Sequence, residues 1–111
     1  MIQIKSEVKT DLVLIQPVGR LDGLTSKEFL DETQKLLKSN PKKVIINLDS
    51  LDYISSEGLR SLLTTAKNIK SHGGNFTLCS PQSSVKEVLD ISGFGDMLGV
   101  HDTVELAEKN I

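Results

Sequence analysis

Two adjacent serines, Ser55 and Ser56, are the residues of this chain best placed to do chemistry. They stand between an apolar run, Val44 to Leu48, and a helix-period run of Leu59, Leu62, Leu63, Ala66 and Ile69. A helix should therefore begin at the serines. Its first turn carries unpaired backbone N–H groups and the positive end of the helix dipole, which favour serine caps and accommodate anions. Hydroxyls displayed there, just after a strand, are suited to receiving a phosphate. The plainer reading is that both are only caps. Gly58 argues for more, because a glycine inside a helix costs ~1 kcal/mol against alanine. Close approach of a neighbouring backbone or of a partner would explain it.

Other candidate chemistry is weaker. There is no Gly-x-Gly-x-x-Gly and no Gly-x-x-x-x-Gly-Lys-Ser/Thr, so neither phosphate cradle is present. No Gly-x-Ser-x-Gly elbow occurs, and neither His72 nor His101 is placed to activate a serine. Without Cys or carboxylate at metal-ligand spacing, both histidines read as surface polar residues, and no metal site is expected. Asp49 and Asp52 follow a strand and could serve as a magnesium-dependent phosphoacceptor, but aspartate there more often makes a turn. The single cysteine, Cys79, cannot form an internal disulfide and lies in a strand-like run, where a buried, inert thiol is expected. Autonomous catalysis and a bound cofactor are not expected.

The bulk properties agree. One domain over residues 1–111 is expected, with room for one packed core. A net charge of −2 gives no electrostatic footprint for nucleic acid. No apolar run approaches the roughly 20 residues that cross a bilayer, and the N-terminus does not read as a signal peptide. A reducing cytoplasm fits the cysteine usage.

The elements that must position the serines follow from periodicity. Ile2, Ile4, Ser6 and Val8 alternate with polar residues as a strand, and Lys9-Thr10-Asp11 turns into a second, from Leu12 to Val18, with Pro17 near its end. Gly19 to Leu24 reads as a loop. Thr25 or Ser26 should cap a helix, with Glu28 completing a capping box, running to about Lys38 before Ser39-Asn40-Pro41. Val44 to Leu48 reads as a central strand buried on both faces. After the serines a helix runs to about Ser71 and Gly73-Gly74. Asn75 to Cys79 is a strand; Val85, Val88 and Leu89 mark a helix ending near Gly93. Phe94 to Val100 reads as a last edge strand, and Asp102 or Thr103 caps a terminal helix. The order β-β-α-β-α-β-α-(β)-α predicts an α/β fold. Its centre would be a mixed, mostly parallel sheet of four to five strands with about four packed helices. Sites in such sheets gather at the C-terminal ends of strands, so the Asp22 loop and the serine corner should lie together.

Asp49-Ser-Leu-Asp-Tyr-Ile-Ser-Ser-Glu-Gly-Leu-Arg60 resembles the signature of the STAS domain (sulfate transporter and anti-sigma factor antagonist). It is most similar to that of the free-standing bacterial anti-sigma factor antagonists. Gly19-Arg-Leu-Asp22 resembles their upstream Gly-x-Leu/Ile-Asp motif, and segment order matches across essentially the whole chain. The resemblance implies phosphorylation two places before the glycine, on Ser56, and a nearby acidic residue at Asp22. It departs from the pattern twice. Ser55 stands where the family often has Asp, which makes Ser55 an alternative acceptor. Glu57 stands where Ser or Ala is common.

The implied function is a partner switch. The unphosphorylated protein binds an anti-sigma factor, itself a serine kinase with a histidine-kinase-like ATPase fold, and so frees a sigma factor. Phosphorylation by that kinase releases the antagonist, and a PP2C-type phosphatase restores it; ATP and Mg²⁺ belong to those partners. Asp22, Gly23, Leu24, Ser55, Ser56, Glu57, Gly58 and Arg60 would form the binding face. Three rivals stay open: a stressosome-like scaffold of the same fold without a cycling phosphate, a STAS subunit of a transport complex, and a phosphotransfer enzyme using Asp49.

Overall fold

The computed structural model describes residues 2–111. The first two strands, β1 (Gln3–Val8) and β2 (Leu12–Leu21), form an antiparallel hairpin, and α1 (Ser26–Leu36) crosses to β3 (Lys43–Asn47). After β4 (Leu51–Ile54) the long α2 (Ser56–Ser71) leads to β5 (Asn75–Cys79). Two helices, α3 (Ser83–Ser92) and α4 (Phe94–Leu98), then precede β6 (Val100–His101) and α5 (Val104–Asn110). The sheet order is β1-β2-β3-β5-β6, with β4 pairing β2, and every pair except β1–β2 is parallel. The α/β class and mostly parallel sheet match expectation; among the described residues there are six strands and five helices rather than four to five and about four.

Apolar side chains segregate by strand face. Val13, Ile15, Val44, Ile46 and Leu78 meet Phe29, Leu59, Leu62, Ala66, Val85 and Leu89 in the main core. Phe29 is fully buried, which is worth roughly 1.5–3 kcal/mol. On the other face α5 covers Ile45 and Cys79 with Ala107. Val44, Ile45 and Ile46 are all fully buried, so β3 is covered on both faces as its unbroken apolar run predicted.

Four local expectations are corrected. Gly19 to Leu21 belong to β2, not to a loop: β2 pairs β3 over Leu12–Ile15 and β4 over Gly19–Leu21, with a register shift inside the second pairing between Gly19 and Arg20. Gly19, at φ +115°, makes that shift possible. Pro17 falls between the two partners, where no neighbour needs its missing N–H. Residues Leu51–Ile54 form β4 with only Leu51 and Ile54 buried, a spacing of three that hides a strand from a period-two search. Phe94 to Leu98 is helix α4, because Phe94 and Leu98 lie one helical turn apart and both pack on the core. Finally, α1 stops near Leu36 and has no capping box. The Thr25 hydroxyl donates instead to the Arg20 carbonyl (2.8 Å) and accepts from the Asp22 amide (3.0 Å).

Candidate functional site

β2 and β4 run parallel and finish side by side, Leu21 opposite Ile54. The chain therefore leaves both strands at one edge, as Asp22 from the first and Ser55 from the second. The Ser55 amide donates to the Leu21 carbonyl (3.0 Å), which extends the pairing by one bond. Gly58 is buried directly behind that bond. A Cβ placed on it would fall on the Leu21 carbonyl oxygen and within 2.9 Å of Ile54 Cγ1. The glycine in the first turn of α2 is thus required by the end of β2, a neighbouring backbone.

The two serines have different environments. Ser55 is the N-cap of α2: it has extended backbone, is half-buried, and its Oγ accepts from the Gly58 amide (3.2 Å). Ser56, the first helical residue, is exposed, and among the described residues its hydroxyl makes no hydrogen bond. One serine caps the helix; its neighbour presents a free hydroxyl to solvent at the same helix end.

Asp22 shapes the facing loop. Its carboxylate accepts from the Leu24 amide (3.0 Å), and Oδ1 lies 3.3 Å from Thr25 Oγ1 and Oδ2 3.5 Å from Arg20 Nε. Its carbonyl accepts from the amides of Thr25 and Ser26, fixing the turn into α1. These bonds, the Leu24 amide foremost, hold the Asp22 carboxyl below the usual range against partial burial. The loop thereby thrusts Leu24 outward, 93% exposed. Beside it, the Arg20 guanidinium stacks over the half-exposed Tyr53 ring at 4.2 Å from the centroid.

Glu57 joins the loop to the helix. A Cβ on Gly23 would meet Glu57 Oε1 at 2.9 Å, so the carboxylate lies over that glycine. Arg60 is exposed one turn along α2 and, with Ser26, Leu30, Glu57, Ser61 and Thr64, lines a shallow groove of about 140 Å³ between α1 and α2. Asp22, Gly23, Leu24, Ser55, Ser56, Glu57, Gly58 and Arg60 are therefore carried by two adjoining segments at one sheet edge. Gly58 alone of these is buried.

The family model described as the STAS domain matches residues 3–107. This chain belongs to the STAS domain family. It is similar to BtrV of Bordetella bronchiseptica, with 33% identity over 89 residues, 80% of this chain and 77% of that one. It is also similar to RsfA of Mycobacterium tuberculosis, named an anti-sigma-F factor antagonist, with 27% identity over 97 residues (86% and 76% of the two chains). Among solved structures it shares its fold with the Bacillus cell-fate determinant SpoIIAA in its phosphorylated form. The TM-score is 0.72 at 21% identity, covering 96% of this chain and 97% of that one.

The remaining candidates are carried by other segments of this STAS domain. Asp49 lies in the turn between β3 and β4, where its Oδ1 accepts from Gln16 Nε2 (2.7 Å), its amide donates to Asn47 Oδ1 (3.1 Å) and its carbonyl accepts from Gln82 Nε2 (2.8 Å). Among the described residues no group of three His, Cys, Asp or Glu side chains is arranged to hold a metal ion. His72 caps the C-terminal end of α2, its Nδ1 2.9 Å from the Asn68 carbonyl, and His101 is half-buried on β6. Cys79 is buried, and burial pushes its thiol up to about 11, so it stays protonated and unreactive at neutral pH. No helix among the described residues is long and apolar enough to cross a membrane. The Arg20–Tyr53 stack is not legible in the sequence, because the three-residue spacing of Leu51 and Ile54 masks the strand that carries Tyr53.

Proposed function

We propose that this STAS protein is an anti-sigma factor antagonist of the cytoplasm, switched by phosphorylation of Ser56. Unphosphorylated, it docks through the Asp22-Gly23-Leu24 loop and the first turn of α2 onto an anti-sigma factor with a histidine-kinase-like ATPase fold, and so frees a sigma factor. That kinase transfers phosphate from ATP to Ser56, and a PP2C-type phosphatase removes it. The nucleotide and Mg²⁺ are the partners', and this chain contributes an acceptor and a surface. The relatives' names support the antagonist role. The observation that carries the choice of acceptor is the contrast between the serines: Ser55 Oγ is engaged by the Gly58 amide, whereas Ser56 is exposed with an unengaged hydroxyl.

The proposed gate is electrostatic. A phosphate brings about −1.5 to −2 charges at neutral pH. Pressed against a surface fitted to a neutral serine, such a charge costs several kcal/mol, and each ~1.4 kcal/mol is a tenfold loss of affinity. The Glu57 carboxylate over Gly23 adds to the repulsion. The test is to incubate the protein with a cognate kinase and ATP and map the product by mass spectrometry. Phosphate on Ser56, its absence in Ser56→Ala, and loss of kinase binding in Ser56→Asp are expected. Phosphate on Ser55, or undiminished binding by Ser56→Asp, would refute the assignment.

One observation favours a second reading. Glu57 already fixes a negative charge at the corner, which suits a STAS scaffold whose docking is not cycled by phosphate. That reading expects stable partner binding and no kinase product in the same experiment.

A further inference from the structure

β1 is an outer strand of the sheet, pairing β2 on one side. Among the described residues no strand pairs its other edge, and Ser6 and Val8 are exposed, Val8 by 66%. The hairpin fixes which backbone groups face that edge. The Lys9 amide donates to the Leu12 carbonyl at 2.7 Å, which makes Lys9 and Leu12 a hydrogen-bonded pair. In an antiparallel ladder such pairs alternate, so Glu7, Lys5 and Gln3 also turn their N–H and C=O groups toward Leu14, Gln16 and Val18. The N–H and C=O groups of Ile4, Ser6 and Val8 must then point outward, unpaired.

An open edge of this length is a template for another strand. We propose that its occupant is β1 of a second copy of this chain, added antiparallel about a two-fold axis through Ser6. The charges select this register. With the axis at Ser6, Lys5 faces the partner's Glu7, and by symmetry Glu7 faces the partner's Lys5. Moving the axis to Lys5 sets lysine against lysine, and moving it to Glu7 sets glutamate against glutamate. Directly opposed unlike charges stabilise a strand pair and like charges destabilise it. The same register makes Ser6 a hydrogen-bonded pair with its own mate and sets the exposed Val8 beside the partner's Ile4. The half-buried Ile4 packs on the main core, so Val8 joins an existing apolar surface. One competing contact is present: Glu7 lies 3.7 Å from Lys9 in its own chain, an exposed pair of small value. The contact is isologous, which closes at two copies and joins the two sheets into one.

The test is sedimentation equilibrium of the full chain from about 10 µM to about 1 mM, a range that detects a dissociation constant of millimolar or tighter. A reversible monomer–dimer equilibrium is expected. Lys5→Glu or Glu7→Lys alone converts two attractive pairs into repulsive ones and should weaken the dimer about tenfold or more. The double swap Lys5→Glu/Glu7→Lys should restore wild-type association. Independently, Ser6→Cys should give a disulfide-linked dimer on mild oxidation. A hydrogen-bonded pair holds its Cα atoms about 5.5 Å apart, within disulfide reach. Val8→Cys should not crosslink, and buried Cys79 supplies no competing thiol. Monomers throughout the range, a double swap as weak as either single variant, or crosslinking at position 8 as fast as at position 6 would each overturn the proposal.

Discussion

Gly58→Ala measures the contact that holds the two halves of the site together. On helix propensity alone the change should stabilise the protein by ~1 kcal/mol. The structure reverses that sign. The new methyl would fall on the Leu21 carbonyl oxygen and lie 2.9 Å from Ile54 Cγ1, and a backbone carbonyl at the end of a paired strand cannot swing aside. Relief requires the first turn of α2 to move away from β2. That strains the hydrogen bond from the Ser55 amide to Leu21, worth about 1 kcal/mol. Overpacking of this kind itself costs about 1–3 kcal/mol, and the loss of about 1 kcal/mol from the hydrogen bond offsets the ~1 kcal/mol that propensity returns. We expect a net loss of about 1–3 kcal/mol in urea unfolding, with the melting temperature falling about 4–8 °C for each kcal/mol. Gly23→Ala is the matched control. Its nearest neighbour, at 2.9 Å, is the end of the flexible Glu57 side chain, which can rotate away, so the stability change should stay within about 0.5 kcal/mol. If Gly58→Ala proves as stable as the wild type, the close approach does not constrain this corner and the argument for Gly58 fails.

Three further predictions concern the same corner. Ser55→Ala should cost about 1 kcal/mol in urea unfolding, because it removes the cap on the Gly58 amide, while the kinase still modifies Ser56; loss of modification without loss of stability would exchange the roles of the serines. Asp22 has a lowered folded-state pKa, so its ionised form stabilises the fold above the ordinary carboxylate range, and that contribution disappears as the pH falls through the folded-state value. Urea midpoints of the wild type should therefore exceed those of Asp22→Asn at neutral pH and converge with them in acid; a constant gap from neutral to acid would refute this. Phosphorylation of Ser56 should leave the melting temperature unchanged or raise it, since an anion at a helix N-terminus contributes about 0.3–1 kcal/mol in favour of the fold. A drop of several degrees on phosphorylation would show that the phosphate disrupts the helix start.

What the sequence made legible depended on how many residues carried each signal. Long elements with a sustained period, α2 above all, were readable from their apolar spacing, and the buried run Val44–Ile46 announced a central strand. The juxtaposition of the Asp22 loop with the serine corner also followed, because strands that end at a common edge bring their trailing loops together. Short elements failed for a shared reason. β4 has four residues with buried ends and exposed middle, and α4 has five, so neither completes enough of a period to be distinguished from a loop or a strand. The extension of β2 through Gly19 was hidden because a glycine that ends a strand and a glycine at a register shift within one look alike without the partner. The Thr25 hydroxyl illustrates competition. It satisfies every local rule for a cap, yet the Arg20 carbonyl and the Asp22 amide engage it instead.

The arrangement at α2 also explains how one hydroxyl could control docking without disturbing the fold. Of the amides in the first turn, that of Gly58 is engaged by Ser55 Oγ and that of Leu59 by the Ser55 carbonyl (2.8 Å). A phosphate on Ser56 would meet a helix end whose dipole favours negative charge, with Arg60 one turn further along the same face. Glu57 opposes it, but its carboxylate is turned toward Gly23. Within the chain the helix end and Arg60 thus offset repulsion from Glu57. A docked partner offers no such balance, because Ser56 is exposed and a surface closing over it must strip water from the phosphate and oppose it with fixed groups. The same charge is thus cheap where water and the helix end share it and expensive where an interface excludes water. That asymmetry requires an acceptor that is exposed, uncoupled from the core and adjacent to a rigid loop, and Ser56 meets those conditions where Ser55, committed to its cap, does not.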